Sequence, residues 1–238
     1  MANKAFDLAV RAGQLLRAAP RVGGSASATE STPRGRRQTV SVVEATSAGL
    51  VSSALQSVPG ASRFYIGSAN VYSGRSAVAL LPQTVIDASG MMDRSNYAGA
   101  QTYIASKRRF VREVACGMRE SFDSTWCLAE SGTCGPEFYV PEVTEGFTAV
   151  GCAGPNGFYR ECVVRTGHGD RRRNMEAFAE AALQLLVDCL EAQGQGHGVK
   201  TMATNAVCAD SGAGTGNRER HDSTGDGYAS QGKLRSKL

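Results

Sequence analysis

A β-branched run, Val40-Ser41-Val42-Val43, passes within six residues into an apolar helical pattern closed by Pro59-Gly60. An unbroken run of this kind is what a strand buried on both faces requires. Leu50, Val51, Ala54, Leu55 and Val58 then recur at helical spacing, and Ser47 is placed to cap that helix. A buried strand feeding directly into a helix commits the chain to a layered α/β architecture. Residues 44–49 are therefore a strand-to-helix turn, where free helix amides can hold an anion or present a functional group. Spacing alone does not separate this from an ordinary βα turn.

The remaining elements extend the same pattern. Residues 5–19 read as a helix with Phe6, Ala9, Val10, Gly13 and Leu16 on one side, ended by Pro20. Residues 20–37 are rich in Gly, Ser, Thr and Arg and read as a flexible insertion, longer than most βα connections. A second strand is expected over 64–72 and a short helix over 75–81, stopped by Pro82. Residues 83–103 carry no clear period. Phe110, Val111, Val114, Ala115, Met118 and Phe122 mark an amphipathic helix over 108–122. A short buried strand, 126–129, runs into a turn at 131–136. Residues 146–153 and 158–165 form an antiparallel hairpin closed by Asn156-Gly157. Asp170 can cap a last helix that ends near residue 194. The expected fold is a three-layer α/β/α sandwich with a mostly parallel mixed sheet and one antiparallel hairpin, over residues 1–193. Residues 194–238 lose all periodicity and read as a disordered tail.

Composition narrows the function. The net charge of +4 does not indicate a nucleic-acid partner, and no apolar run reaches the length of a membrane span. The amphipathic, Arg-containing residues 1–20 are compatible with a mitochondrial presequence, but they include Asp7 and lack a signal-peptide apolar core. The seven cysteines form no CxxC pair and no His stands at ligand spacing, so neither a metal site nor a cofactor is expected. A two-residue Asn-Gly turn sets Cys152 opposite Glu161, which puts Cys152 and Cys162 on opposite faces and argues against a disulfide. The pattern fits a reducing, intracellular setting. The C-terminal Ser236-Lys237-Leu238 matches the tripeptide read by the peroxisomal targeting receptor. The expected location is a peroxisome or glycosome, with the cytoplasm as the alternative.

Four segments carry a family resemblance, in order. Glu44-Ala45-Thr46-Ser47-Ala48-Gly49, followed by a helix and Val58-Pro59-Gly60-Ala61-Ser62, resembles the Glu-Ser-Cys-Thr-Gly-Gly turn, helix and Pro/Ala-Gly-Ser-Ser turn of the CinA C-terminal domain family, which includes nicotinamide-nucleotide amidohydrolases. Val71-Tyr72-Ser73 resembles the family Thr-Tyr-Ser strand. Ser131-Gly132-Thr133-Cys134-Gly135-Pro136 resembles Ser-Gly-Ile-Ala-Gly-Pro, and Gly169-Asp170-Arg171 resembles Gly-Asp-Arg before the last helix. The resemblance covers about residues 5–192. It implies the α/β/α fold, hydrolysis of the amide of nicotinamide mononucleotide through a covalent intermediate, and a nucleotide site at Glu44, Thr46, Ser47, Gly49, Tyr72, Ser73, Ser131, Gly132, Gly135 and Arg171.

Two departures redirect this reading. The family's nucleophilic Ser falls on Ala45, and its partner Lys, five residues after the Tyr, falls on Ala77. Alanine can neither attack a carbonyl nor take a proton. The expectation is therefore a nucleotide-binding or regulatory pseudoenzyme whose partner is a pyridine mononucleotide or another phosphate-bearing small molecule, with self-association left open. The alternatives are an active amidohydrolase using Thr46 or Ser47, and a structural subunit without a ligand. His168 offers a base, but nothing in the sequence places it beside Thr46. Arg171 is expected to meet an anion, while Arg172 and Arg173 read as solvated.

Overall fold

The computed structural model describes residues 4–23, 35–138, 140, 143, 145–194 and 206–207. Strand β1 (Val40–Glu44) is buried at every position. It pairs in parallel with β2 (Tyr65–Asn70) on one side and β3 (Trp126–Thr133) on the other. Strands β4 (Phe147–Ala153) and β5 (Tyr159–Arg165) continue the sheet as an antiparallel hairpin, so β4 alone runs against the rest. A two-residue strand β6 (Ala206–Val207) pairs in parallel with Cys162 and Val163. It lies in the segment expected to be a structureless tail. The rest of that segment, Ser236-Lys237-Leu238 included, falls outside the described residues. So do residues 24–34 of the expected insertion, whose base is closed by a bridge between Val22 and Arg36.

Alternation along the strands sends neighbouring side chains to opposite faces and builds two cores. Val40, Val42, Trp126, Leu128, Val150 and Cys152 pack with helices α1 (Lys4–Ala18), α2 (Leu50–Gln56) and α6 (Arg171–Gly194). Val43, Cys127, Ala129 and Ala149 pack on the other face with α3 (Gly74–Leu80), α4 (Gln83–Ser89) and α5 (Ala100–Ser121). The result is an α/β fold with a mixed sheet and helices on both sides.

Three sequence expectations need correction, and two of them shape the site. Helix α5 starts at Ala100, not near 108. Tyr103, Phe110, Val111 and Val114 form one buried stripe along it, but the polar run Gln101-Thr102 and the cations at 107–109 dilute the period. Strand β3 does not stop at 129. Ser131, Gly132 and Thr133 pair with Ala149, Thr148 and Phe147, so the loop begins only at Cys134. The hairpin register differs by one residue. Its turn is a short 3-10 segment, Pro155–Gly157, closed by Gly154 N–H donating to the Phe158 carbonyl, and Ala153 pairs with Tyr159. Cys152 therefore faces Arg160, and Cys152 and Cys162 share one core. Both are free thiols.

Candidate functional site

Glu44 and Glu130 end up side by side, one step beyond the last β1–β3 pair, Val43 with Ala129. They are 1% and 2% exposed. Adjacent buried carboxylates persist only where donors surround them, and both are surrounded. Glu44 Oε2 accepts from Ser47 Oγ (2.7 Å), Gly49 N–H (2.9 Å) and Val51 N–H (3.1 Å). Its Oε1 accepts from Ser52 N–H (2.9 Å) and the Ser52 hydroxyl. Glu130 Oε1 accepts from Ala45 N–H (2.9 Å), Ser47 N–H (2.5 Å) and Ser47 Oγ (2.8 Å). Its Oε2 accepts from Thr46 Oγ1 (2.5 Å) and Thr148 Oγ1 (3.0 Å). The single Ser47 hydroxyl proton serves one carboxylate at a time.

This overturns two expectations for the turn. Ser47 is not the helix cap: the N-cap is Gly49 in a left-handed conformation (φ 96°), and Glu44 satisfies the first amides of α2. Nor are those amides open to a ligand anion, because the protein's own carboxylates already hold them. Ser47, at 0% exposure, cannot reach a substrate.

The cavity lies next to this turn, at the C-terminal ends of β1 and β2 and under α5, with a volume of about 280 Å³. Ala45 and Thr46 form one wall, and Ser131, Gly132 and Cys134 another. The α5 wall brings Tyr103, Lys107 and Phe110. The Lys107 ammonium lies 5.2 Å from the Tyr103 ring centroid and 5.8 Å from that of Phe110. Burial pushes its pKa down to about 8, with Glu130 pulling the other way. Arg171, at the start of α6, donates to Tyr72 Oη (3.2 Å) and the Gly135 carbonyl (3.4 Å). Burial also pushes the Cys134 thiol up to about 11, so it is no nucleophile at neutral pH.

Local chemistry holds this rim. Asp170 caps α6 as expected, accepting from Arg173 N–H at 3.1 Å. The fully buried Asn174 donates to the carbonyls of Cys134 and His168, both at 2.8 Å, tying the loop after β3 to the base of α6. Ser73 and Ser76 form a capping box that starts α3.

The cavity thus gathers Thr46, Tyr72, Ser73, Ser131, Gly132 and Arg171 from the expected set. Glu44, Ser47 and Gly49 serve the turn behind it, and Gly135 enters through the carbonyl that Arg171 holds. Gly132 has a structural duty: a Cβ there would sit 1.9 Å from the Phe147 carbonyl oxygen. Ala45 lines the cavity, whereas Ala77 is fully buried in the α3–α5 core. His168 does not line it, and its buried Nδ1 has no partner. Lys107, Tyr103 and Glu130 were not anticipated. Tyr103, Lys107 and Phe110 stand at helical i, i+4, i+7 spacing, and an acid inside an otherwise apolar strand, as at Glu130, signals a demand for partners. Among the described residues no group of His, Cys, Asp or Glu is placed to hold a metal ion, and no described helix is long and apolar enough to cross a membrane.

Comparison with known proteins agrees with this fold. The family model of the CinA C-terminal domain matches residues 25–190. A CinA-like protein of Desulfosudis oleivorans is 31% identical over 158 residues, covering 63% of this chain and 33% of its own length. One of Chlorobium phaeovibrioides is 30% identical over 165 residues, covering 68% and 36%. The chain therefore spans about a third of the length of these curated relatives. A competence or damage-inducible protein from Enterobacter asburiae superposes with a TM-score of 0.58 at 17% identity, covering 79% of this chain and 99% of that one. A CinA superfamily protein from Enterobacter cloacae gives 0.59 at 18%, covering 80% and 94%. At such identities the solved structures speak to the fold alone.

Proposed function

The chain belongs to the CinA C-terminal domain family, and on that premise we propose that it binds a phosphate-bearing pyridine mononucleotide without hydrolysing it. The observation that carries this reading is the pairing of an intact cavity with an alanine at its working position. Ala45 stands on the cavity wall where the family resemblance puts the nucleophile, and Ala77, where it puts the partner lysine, is sealed in a core. Amide hydrolysis through a covalent intermediate also needs donors for the oxyanion. The amides of Ala45 and Ser47, beside the missing nucleophile, are held by Glu130. What remains suited to a ligand is recognition: Arg171 for a phosphate, aromatic side chains for a ring, and a cavity of about 280 Å³.

One observation favours a second reading. Thr46 lines the cavity and its hydroxyl donates to a carboxylate, Glu130, as a nucleophile would to a base. Against this, the same Glu130 oxygen also accepts from Thr148, and the other oxygen takes three further donors. Taking the Thr46 proton would disturb all of them. Two measurements on the 238-residue chain separate the readings. Binding without turnover should appear as a rise in melting temperature with millimolar mononucleotide, and no ammonia should be released. Steady ammonia release that disappears in Thr46→Ala would establish the hydrolase instead.

A further inference from the structure

Two cations, Lys107 and Arg171, reach this cavity from different helices, and no acid among the described residues pairs with either. Lys107 lies over two aromatic rings. The one acid acting on its charge, Glu130, has both oxygens engaged by the turn and Thr148. Arg171 touches only neutral acceptors, a phenol and a carbonyl. Glu137 also lines the cavity, yet it pairs with neither cation. A shielded cation without a carboxylate is costly unless something else supplies the negative charge. Lys107 is such a cation, while Arg171 is exposed at the edge and touches no acid; a cavity that holds both is complementary to a ligand that brings two anionic groups.

Aromatic rings stand beside the α5 wall. Tyr97 and Phe138, both partly exposed, line the cavity and flank the buried Tyr103 ring, with centroids 5.8 and 4.9 Å from it. Such faces attract a cationic heteroaromatic ring. We propose that the cavity selects a ligand with two anionic groups on a cationic aromatic core, and so takes the ring-carboxylate form of a pyridine mononucleotide over its carboxamide. This inference rests on the mononucleotide reading above. Arg171 meets the phosphate, where its planar fork suits two oxygens. Lys107 meets the ring carboxylate. The carboxamide would instead set a pyridinium charge near Lys107 with nothing to offset it, and an unmatched charge is a strong source of discrimination.

The test is calorimetric titration of the 238-residue chain with each mononucleotide, and separately with inorganic phosphate. The carboxylate form should bind at least about tenfold more tightly than the carboxamide. Lys107→Met should reduce the carboxylate form to the level of the carboxamide, Lys107→Arg should keep the preference, and Arg171→Ala should weaken both ligands alike. Equal affinities in the wild type, or a tighter carboxamide, would overturn this inference while leaving the mononucleotide reading in place. Binding of phosphate alone, with neither mononucleotide, would overturn both. The wild-type ratio decides the matter even if a Lys107 variant does not fold.

Discussion

The turn after β1 and the α5 wall of the cavity treat charge in opposite ways. In the turn, two buried carboxylates meet a full set of amides and hydroxyls, all supplied by the chain itself. On the wall, Lys107 is half-buried, enough to push its pKa down, but receives no carboxylate among the described residues. A polar cluster whose every demand is met internally is architecture, because nothing is left for a ligand to do. A charge left unmatched at a cavity is a liability in the free protein, and it is tolerable where a ligand corrects it. The difference moves the expected anion site away from the helix start and toward Lys107 and Arg171.

The most severe way to break this comparison is Glu130→Ala. It strands the Ala45 and Ser47 amides and removes the partner of Thr46 and Thr148. Unfolding by denaturant, followed through the single tryptophan, Trp126, should show a loss of about 4 kcal/mol. A loss below about 1 kcal/mol would mean that the turn does not depend on its carboxylate.

Lys107→Met probes the opposite region. The Lys107 ammonium holds its proton less firmly in the folded chain, at about 8, than a free lysine does at 10.5. The unfolded chain thus binds more protons between those values, and stability rises with pH across that window. The penalty is fully present below about pH 8 and is relieved toward pH 10.5. After discounting for partial exposure it is on the order of 2 kcal/mol. Lys107→Met should therefore gain most over wild type near pH 7, and the gain should shrink as pH rises. Glu137, Cys134, Arg171, Tyr72, Tyr97 and Tyr103 line the same cavity and Glu130 acts on Lys107 from behind it, so the difference between the two proteins at each pH is the quantity to plot. A pH-independent difference would show that Lys107 bears no such penalty.

Smaller effects sharpen the contrast. Ser73→Ala removes the capping box of α3 and should cost about 1 kcal/mol in thermal or denaturant unfolding, although Ser73 stands at the cavity mouth. Arg171→Ala should change stability by less than about 0.5 kcal/mol, as expected of an exposed side chain without an ion pair. It should nevertheless abolish any rise in melting temperature produced by phosphate. A large stability loss there would recast Arg171 as a structural residue.

The fold was legible wherever one period dominated. The β-branched run at 40–43, the Asn-Gly hairpin and the stripe from Phe110 onward all stand where their spacing places them. The candidate site was legible only in part, because its main contacts are tertiary. Glu130 lies 83 to 85 residues from the turn it holds, and no local pattern reports a contact at that range. Lys107 falls just before a helix expected from 108, because the weak period of residues 83–103, two short helical pieces and the first turn of α5, conceals the earlier start. The hairpin register failed for a different reason. A 3-10 turn at Pro155–Gly157 changes the count by one, and one residue moves a side chain to the other face.

Glu130 behaves as a ligand that never dissociates. Being part of the chain, its carboxylate competes for the Ala45 and Ser47 amides at a local concentration that dilution cannot lower. A diffusing anion, or the oxyanion of a reacting amide, would have to displace a tethered rival already in place. Ala45→Ser would set a hydroxyl on the cavity wall while the turn stayed occupied, and Ala77→Lys would put its ammonium into the α3–α5 core, away from that wall. On the reading proposed above, amidase chemistry at position 45 would therefore need a further change, one that evicts the resident carboxylate and still satisfies the hydroxyls it leaves behind.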